Sequence, residues 1–429
     1  LRSAYVFDFI RRYFLYSGYR VKFVKNITDI DDKIIDKARK GNKEQDLKKK
    51  VKEVADKYLD EYRKAMEAFG ILLPDIEPKA TKHIPKMLKV IRALIRKGFA
   101  YESDGSVYFK VREFKNYGGL SKQSIEKLKS GVRIEPNEKK IDPLDFALWK
   151  KASENEPSWK TPWGLGRPGW HIECSVMSMN YLGRTFDIHG GGKDLIFPHH
   201  ENEIVQAEAF TGRRFANYWM HNGILTINGE KMSKSLGNFI SVSEILSGYH
   251  PEVLKLFFLS AHYSHPVDFT YERMEEAKRA REKFYILFEK VDQDLKKKRA
   301  IISPELDNFR KQFSESMDED FNTPKALAVL FELVNFANRH PEDKDIYSGA
   351  ARLILDLGKV LGIFERRDKD VKIKFPEGFD SAKISALIDK RNEFRKNKDF
   401  AQADKIRNEL EDLGVILEDE AGKTKWRSR

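Results

Sequence analysis

The sequence predicts an α/β fold: a doubly wound parallel sheet interrupted by an insertion, then a helical bundle and a small α+β module at the C-terminus. Three observations carry that expectation. An aromatic helix pattern near the start runs straight into an extended segment. The run Thr185-Phe-Asp-Ile188 ends in Gly190-Gly191-Gly192, and a glycine-rich strand end is the usual ligand crevice of a doubly wound sheet. From about Asp268 onward the pattern is nearly all helical. At 429 residues the chain exceeds one ordinary core, so two to four domains are expected.

From Ala4 to Tyr16, the residues Tyr5, Phe9, Tyr13 and Tyr16 recur at helical spacing and Gly18 stops the helix. A strand follows at Val21–Val24. Helix feeding strand is the second half of a βαβ unit, whose first strand is expected ahead of Leu1. Residues 48–69 and 84–97 read as helices joined by a connector around Pro74 and Pro78. Residues 100–168 mix short strands such as Ser106–Phe109 with Gly and Pro turns and a tryptophan-rich stretch, which reads as an insertion. "YWMHNGILTING" reads as strands around an Asn228-Gly229 turn. "KMSKSLGN" reads as an exposed loop, and Ser241-Val-Ser-Glu244 as a capping box. "DKDVKIKFPEGFD" reads as a linker before two helices, a short strand at Val415–Leu417 and a basic tail containing Trp426.

The formal charge is +12 and the pI about 9.3, which suits a partner carrying many phosphates. A generally charged soluble surface is the plainer alternative, since 34% of residues are charged. One cysteine excludes an internal disulfide framework and points to a reducing compartment. No apolar run approaches the roughly 18 residues of a membrane span. Arg2, Asp8, Arg11 and Arg12 break any signal-peptide pattern at the start. A cytoplasmic protein without a membrane partner, working as a monomer, is expected.

The stretch Phe197-Pro-His-His-Glu-Asn-Glu203 concentrates imidazole and carboxylate. Proline suits a first helical turn, so His199 onward is expected to be helical, with His199 and Glu203 on one face. A protease-type H-E-x-x-H zinc helix is excluded, because Ile204 stands four after His200. Two ligands of a site completed elsewhere remain, and Cys174 in "GWHIECSVMS" is the natural third. Thiolate, imidazole and carboxylate all suit zinc, and three protein ligands with one open position is the usual catalytic arrangement. The plainer alternatives are a buried small cysteine and a surface His–Glu pair.

Taken together, "NITDIDDKI" (26–34), "RPGWHIECS" (167–175), "FDIHGGGKDLIFPHHENE" (186–203) and "KMSKSLGN" (231–238) resemble the class I cysteinyl-tRNA synthetases. The likeness continues through "MDEDFNTPKAL" (317–327) and "DFAQADKIRNELEDLGVILED" (399–419), covering essentially the whole chain in order. It implies a class I Rossmann-like catalytic domain over 1–69 and 168–245. A connective insertion would occupy 70–167 and a stem-contact region 246–282. A helical bundle over 283–376 and an anticodon-binding domain over 377–429 would follow. It also implies one zinc held by two cysteines, a histidine and a glutamate. Cys174, His199 and Glu203 match three of these. The second cysteine and the HIGH-type signature belong to the family's first strand, expected ahead of Leu1.

The chemistry such a site must perform explains the residue types. Packing discriminates by about 1–3 kcal/mol per methylene, whereas a site built for one polar group rejects analogues by roughly 10⁴. Zinc prefers thiolate to a neutral hydroxyl, so the metal would read the substrate sulfur. By the same resemblance Lys234 is the ATP-binding lysine and Lys231 assists. Their ammonium groups would neutralise charge as the amino-acid carboxylate attacks the α-phosphorus of ATP, a substrate taken with magnesium. Gly190, Gly192 and Asp194 would face nucleotide. Thr28, Trp170 and His189 would line the L-cysteine pocket, although Trp170 and His189 could equally be core. Asp29, Asp31 and Asp32 read as a capped helix start without a catalytic role. In the last domain Arg395, Phe400, Asp404 and Asp419 would meet unpaired bases of tRNA(Cys); helix packing or a solvated face would explain Phe400 and Asp404 equally.

Two other functions fit parts of this pattern. A related cysteine ligase acting on an amino-sugar would share the catalytic half without an anticodon module, and the segment 380–429 argues against it. An inactive zinc-stabilised RNA-binding protein would keep the metal cluster and the basic tail.

Overall fold

The computed structural model describes residues 1–40, 46–123, 139–232, 240–295, 304–365, 381–397, 399–412, 415–420 and 423–428. The chain forms two compact units, Leu1–Glu365 and Arg366–Arg429.

Helix α1 (Arg2–Tyr16) follows the expected aromatic spacing: Tyr5, Phe9 and Tyr13 are buried, while Tyr16 leans outward. Gly18 ends it at a φ of +86° that a side chain would disfavour. α2 (Asp32–Arg39) starts at Asp31, whose carboxylate accepts from the Lys33 amide at 2.8 Å, the cap geometry that the DIDD sequence suggests. α3 (Leu47–Ala68) and α4 (Ile84–Arg96) follow, the latter with proline in its first turn.

The strand expected at Val21–Val24 is reduced to two isolated parallel bridges, Val24 with Ile76 and Ile27 with Lys79. The partner segment explains why. It carries Pro74 and Pro78, and proline has no N–H to continue a ladder. Pro78 still accepts, from the Ile27 amide at 2.9 Å.

The insertion forms one antiparallel sheet of five strands: β1 (Ala100–Ser103), β2 (Ser106–Phe109), β3 (Phe146–Lys151), β4 (Trp159–Thr161) and β5 (Gly164–Pro168), in the order β1-β2-β3-β5-β4. Its inner face is apolar, with Val107, Phe109, Leu148 and Trp149 fully buried. Gly166 is obligatory here, because a Cβ would lie 2.2 Å from the Trp149 indole nitrogen.

Then the parallel α/β pattern returns. α5 (Trp170–Leu182) leads to β6 (Phe186–Gly192), α6 (Glu201–Thr211) crosses over, and β7 (Ala216–Asn222) pairs parallel with β6 from Phe186–Ala216 to Gly192–Asn222. β8 (Leu225–Ile227), a left-handed Asn228-Gly229 turn and β9 (Glu230–Lys231) come next. α7 (Val242–Gly248) opens with the reciprocal Ser241–Glu244 capping box. α8 (Pro251–Leu259) leads to β10 (Val267–Phe269), which lies parallel to β8. Substituting Ser241 by alanine removes one side of that box and is expected to cost about 1 kcal/mol, read as a lower urea midpoint.

Four helices complete the unit: α9 (Tyr271–Leu295), α10 (Pro304–Asp318), α11 (Thr323–Arg339) and α12 (Lys344–Val360). Their apolar stripes close over Phe284, Phe313, Leu330, Leu333, Leu353 and Leu357. The same core takes in Tyr5, Phe9 and Tyr13 of α1, so the bundle and the first helix share one interior.

The second unit holds α13 (Ser381–Lys396) and α14 (Phe400–Asp412), which bury Ile388, Ile406 and Leu410, followed by β11 (Val415–Glu420) and β12 (Lys423–Ser428). The basic tail is therefore a strand, with Trp426 opposite Leu417. Lys423, Lys425 and Arg427 alternate with less polar neighbours at the strand period. The segment 368–380 lies outside the described residues.

Candidate active site

The histidine–glutamate run folds as a turn and then a helix. Ile196–His200 is a single wide turn in which Phe197 is extended (φ −132°, ψ 133°), because a residue preceding proline is pushed out of the helical region. Regular helix thus starts at Glu201, two residues later than the sequence suggests. The i, i+4 relation survives: His199 and Glu203 face the same interior, and Cys174 on α5 meets them there.

One ligating atom from each of Cys174, His199 and Glu203 lies within 4.8 Å of the others, and all three residues are buried. Ligands at about 2.0–2.3 Å from a tetrahedral zinc would be roughly 3.3–3.8 Å apart, so the group needs little closing. Nε2 of His199 is 2.9 Å from one Glu203 oxygen, and Nε2 of His189 is 3.4 Å from the other. Neither approach has hydrogen-bond alignment, and both carboxylate oxygens are buried without a hydrogen-bond partner. A buried carboxylate that faces two imidazoles without accepting a hydrogen bond, beside a thiol, is what a soft-ligand cation would satisfy.

The electrostatics agree with that donor chemistry. Burial would raise the Glu203 carboxyl, yet His189 and His199 outweigh it and hold it well below the usual range. Burial, reinforced by Glu203 and Glu173, pushes the Cys174 thiol well above its ordinary value. In the bare pocket the sulfur is thus a thiol, and a bound cation would have to draw it to thiolate.

Around this group stands a shell of rings that spacing alone did not single out. Trp170 stacks on His199 at 4.0 Å, and Nδ1 of His171 is 2.8 Å from Nδ1 of His199. His189 lies 4.6 Å from Trp219, and Nδ1 of His200 is 2.8 Å from Nε2 of His221. Burial lowers His171 and His200 to about 3 and His221 to about 4, so these rings are neutral near pH 7. His189, His200 and Glu203 form a second ligand-like group, also within 4.8 Å. It lacks sulfur and shares Glu203 with the first.

The two acids of the motif have different tasks. Glu201 accepts the amides of Gly118 and Ser121, both at 2.9 Å, and Asn202 accepts from the Tyr117 hydroxyl at 2.8 Å. They fasten a turn of the insertion, in which Gly118 (φ +92°) has no room for a side chain.

The remaining expected residues are placed as follows. Of the glycines of β6, Gly190 is exposed, Gly192 half-buried and Gly191 buried, and there is no room for side chains on two of them: a Cβ on Gly190 would strike the Phe7 ring and one on Gly191 the His200 ring. Asp194 is exposed in the turn after Gly192, its carboxylate beside that glycine. Thr28 sits on the extended segment, its hydroxyl 3.3 Å from the Asn26 amide. Lys231 ends β9 opposite Thr226; Lys234 lies outside the described residues. In the second unit Arg395, Phe400 and Asp404 are exposed, Phe400 at 60%, so Phe400 is not a helix-packing residue. Asp419 stands on β11 opposite Thr424.

Among the described residues, no helix is long and apolar enough to cross a membrane. Residues 1–279 match the tRNA synthetases class I (C) catalytic domain, 312–365 the DALR domain and 381–427 the cysteinyl-tRNA ligase anticodon binding domain. The chain is 49% identical to the cysteine–tRNA ligase of Thermodesulfovibrio yellowstonii, covering 99% of this chain and 91% of that protein. It is 44% identical to the cysteine–tRNA ligase of Aquifex aeolicus, covering 100% and 91%. Mycobacterium tuberculosis methionyl-tRNA synthetase bound by methionyl-adenylate shares the fold, with a TM-score of 0.62 over 84% of this chain and 88% of that one at 13% identity. The three matched domains follow one another along the chain, and the chain belongs to the cysteine–tRNA ligase family of class I aminoacyl-tRNA synthetases.

Proposed function

We propose that the chain activates L-cysteine with ATP and transfers it to the 3′ end of tRNA(Cys), using one zinc to select the substrate thiol. The convergence of Cys174, His199 and Glu203 in one buried pocket carries this reading. In the first step a carboxylate oxygen of cysteine bonds to the α-phosphorus of ATP and pyrophosphate leaves. In the second a ribose hydroxyl bonds to the acyl carbon, AMP departs, and the hydroxyl proton goes to the departing phosphate or to solvent. Zinc held by these three residues would supply a soft Lewis acid that prefers sulfur to oxygen.

The chain's own residues do the positioning, and no covalent enzyme intermediate is required. Trp170, stacked on His199, and His189, beside Glu203, line the pocket, and Thr28 is assigned to its rim. Gly190, Gly192 and Asp194 receive the nucleotide at the end of β6, and Lys231 and Lys234 stabilise the phosphates of magnesium-bound ATP. Arg395, Phe400, Asp404 and Asp419 meet the anticodon; the exposed Phe400 ring supports stacking on an unpaired base. The catalytic parts would occupy 1–69 and 168–245, flanking an insertion at 70–167, with a stem-contact region at 246–282.

Purified protein should contain about one zinc per chain, and pyrophosphate exchange should prefer cysteine over serine by roughly 10⁴. Chelation should abolish cysteine-dependent exchange and added zinc should restore it. A zinc-free protein that still prefers cysteine would refute the metal-reader idea, and charging of an amino-sugar in place of tRNA would favour the rival ligase.

A further inference from the structure

Two groups of rings border the thiol site. His189, on β6, meets Glu203, whereas Trp170 and His171, at the start of α5, meet His199. On the Trp170 side a cavity opens between α5 and the insertion sheet, with Asp31, Asp32, Lys150, Arg167 and Glu173 among its lining residues. Glu173 is only 1% exposed, and its Oε2 is buried with no hydrogen-bond partner. The cations beside it bond Asp32, Lys150 at 2.6 Å and Arg167 through a terminal nitrogen, while the Arg167 Nε, 3.6 Å from Glu156, makes no hydrogen bond. A buried carboxylate oxygen left without a donor is costly in a folded protein. Here it borders an open space that a ligand can fill.

Its other walls specify the ligand. Trp170 is covered on one face by His199, yet remains 43% exposed beside the cavity, a surface on which a base can stack. Glu173 calls for hydroxyl donors. Lys150, partly exposed at the rim, suits a phosphate. Stacking face, hydroxyl acceptor and cation together describe a nucleotide with its ribose turned inward.

We infer that this cavity seats the terminal nucleoside of the acceptor RNA, with Glu173 accepting from a ribose hydroxyl. The inference rests on the ligase reading above. ATP offers the same chemistry, but its place at the glycine end of β6 is on the His189 side. The accepting hydroxyl must come within bonding distance of the acyl carbon of cysteine, and the cavity adjoins the thiol site through Trp170 and His171, both of which touch His199.

Glu173→Gln keeps the shape and replaces one acceptor oxygen with an amide donor. In the full chain, cysteine-dependent pyrophosphate exchange and the ATP KM should stay within about twofold of the parent. Single-turnover transfer from enzyme-bound adenylate to tRNA should fall at least roughly tenfold. A second substitution at the rim, Lys150→Met, should raise the tRNA KM about threefold or more and leave exchange unchanged; being partly exposed, it tests the site even if Glu173→Gln fails to fold. A raised ATP KM would assign the cavity to ATP, and equal losses in both steps or no loss in transfer would overturn the proposal. A parent without exchange activity would instead sink the ligase reading.

Discussion

Replacing Cys174 with serine is expected to lower cysteine activation by roughly 10²–10³ in kcat/KM and to leave the protein with much less than one zinc per chain. The substitution changes one atom in a buried site, so packing is nearly preserved. Sulfur, however, is the soft member of the donor set, and a neutral hydroxyl is a poor replacement. His199 and Glu203 alone leave two ligands where three converge. The structural cost should be small, on the order of 1 kcal/mol for a buried hydroxyl with imperfect partners, so a thermal melt close to the parent's should accompany the loss of activation. Zinc content by elemental analysis and pyrophosphate exchange with cysteine and serine check the prediction together. Unchanged activation at unchanged zinc would remove Cys174 from the ligand set.

How much of this site was legible in the sequence depended on the range of each contact. The His199–Glu203 pairing could be read because spacing of four on a helix fixes a shared face, and it held although regular helix begins only at Glu201. The ring shell could not be read that way. His171 meets His199 across 28 residues and His200 meets His221 across 21, and no periodicity links positions on separate elements. Nor did composition separate Glu201 from Glu203: the same side chain holds backbone amides in one case and enters the thiol pocket in the other. At the fold level the helices came through because amphipathic spacing is strong over three or more turns. The strands near Val24 and Trp426 were less legible. Prolines in the partner segment interrupt the first, and in the second the lysine and arginine content masked an alternation that strand pairing makes evident.

The largest stability effect is expected far from the thiol pocket, at Arg12. This side chain is 8% exposed and binds four groups: Asp8 at 2.7 Å, Glu365, the Gly70 carbonyl at 3.0 Å and the Lys359 carbonyl at 3.4 Å. It ties α1 to the segment that closes α12, where Lys255 also donates to the Gly362 carbonyl at 2.6 Å and the Tyr5 hydroxyl to that of Leu361 at 2.7 Å. Arg12→Met keeps much of the stem volume but strands Asp8, whose side chain is 1% exposed and whose other oxygen is held by the Leu72 amide at 2.9 Å. Breaking a buried pair from one side typically costs about 3–5 kcal/mol, enough to consume much of a domain's stability. The pH dependence identifies the cause. Burial raises the Asp8 carboxyl above its ordinary value even with Arg12 opposing, and without Arg12 it should rise further. A group whose folded pKa is raised favours the folded state most at low pH and loses that contribution as pH rises through the folded value. The gap between variant and parent should therefore narrow on acidification as Asp8 takes up a proton. Urea denaturation across a pH series measures it, and a gap independent of pH would mean that lost packing, not the stranded carboxylate, destabilises the variant.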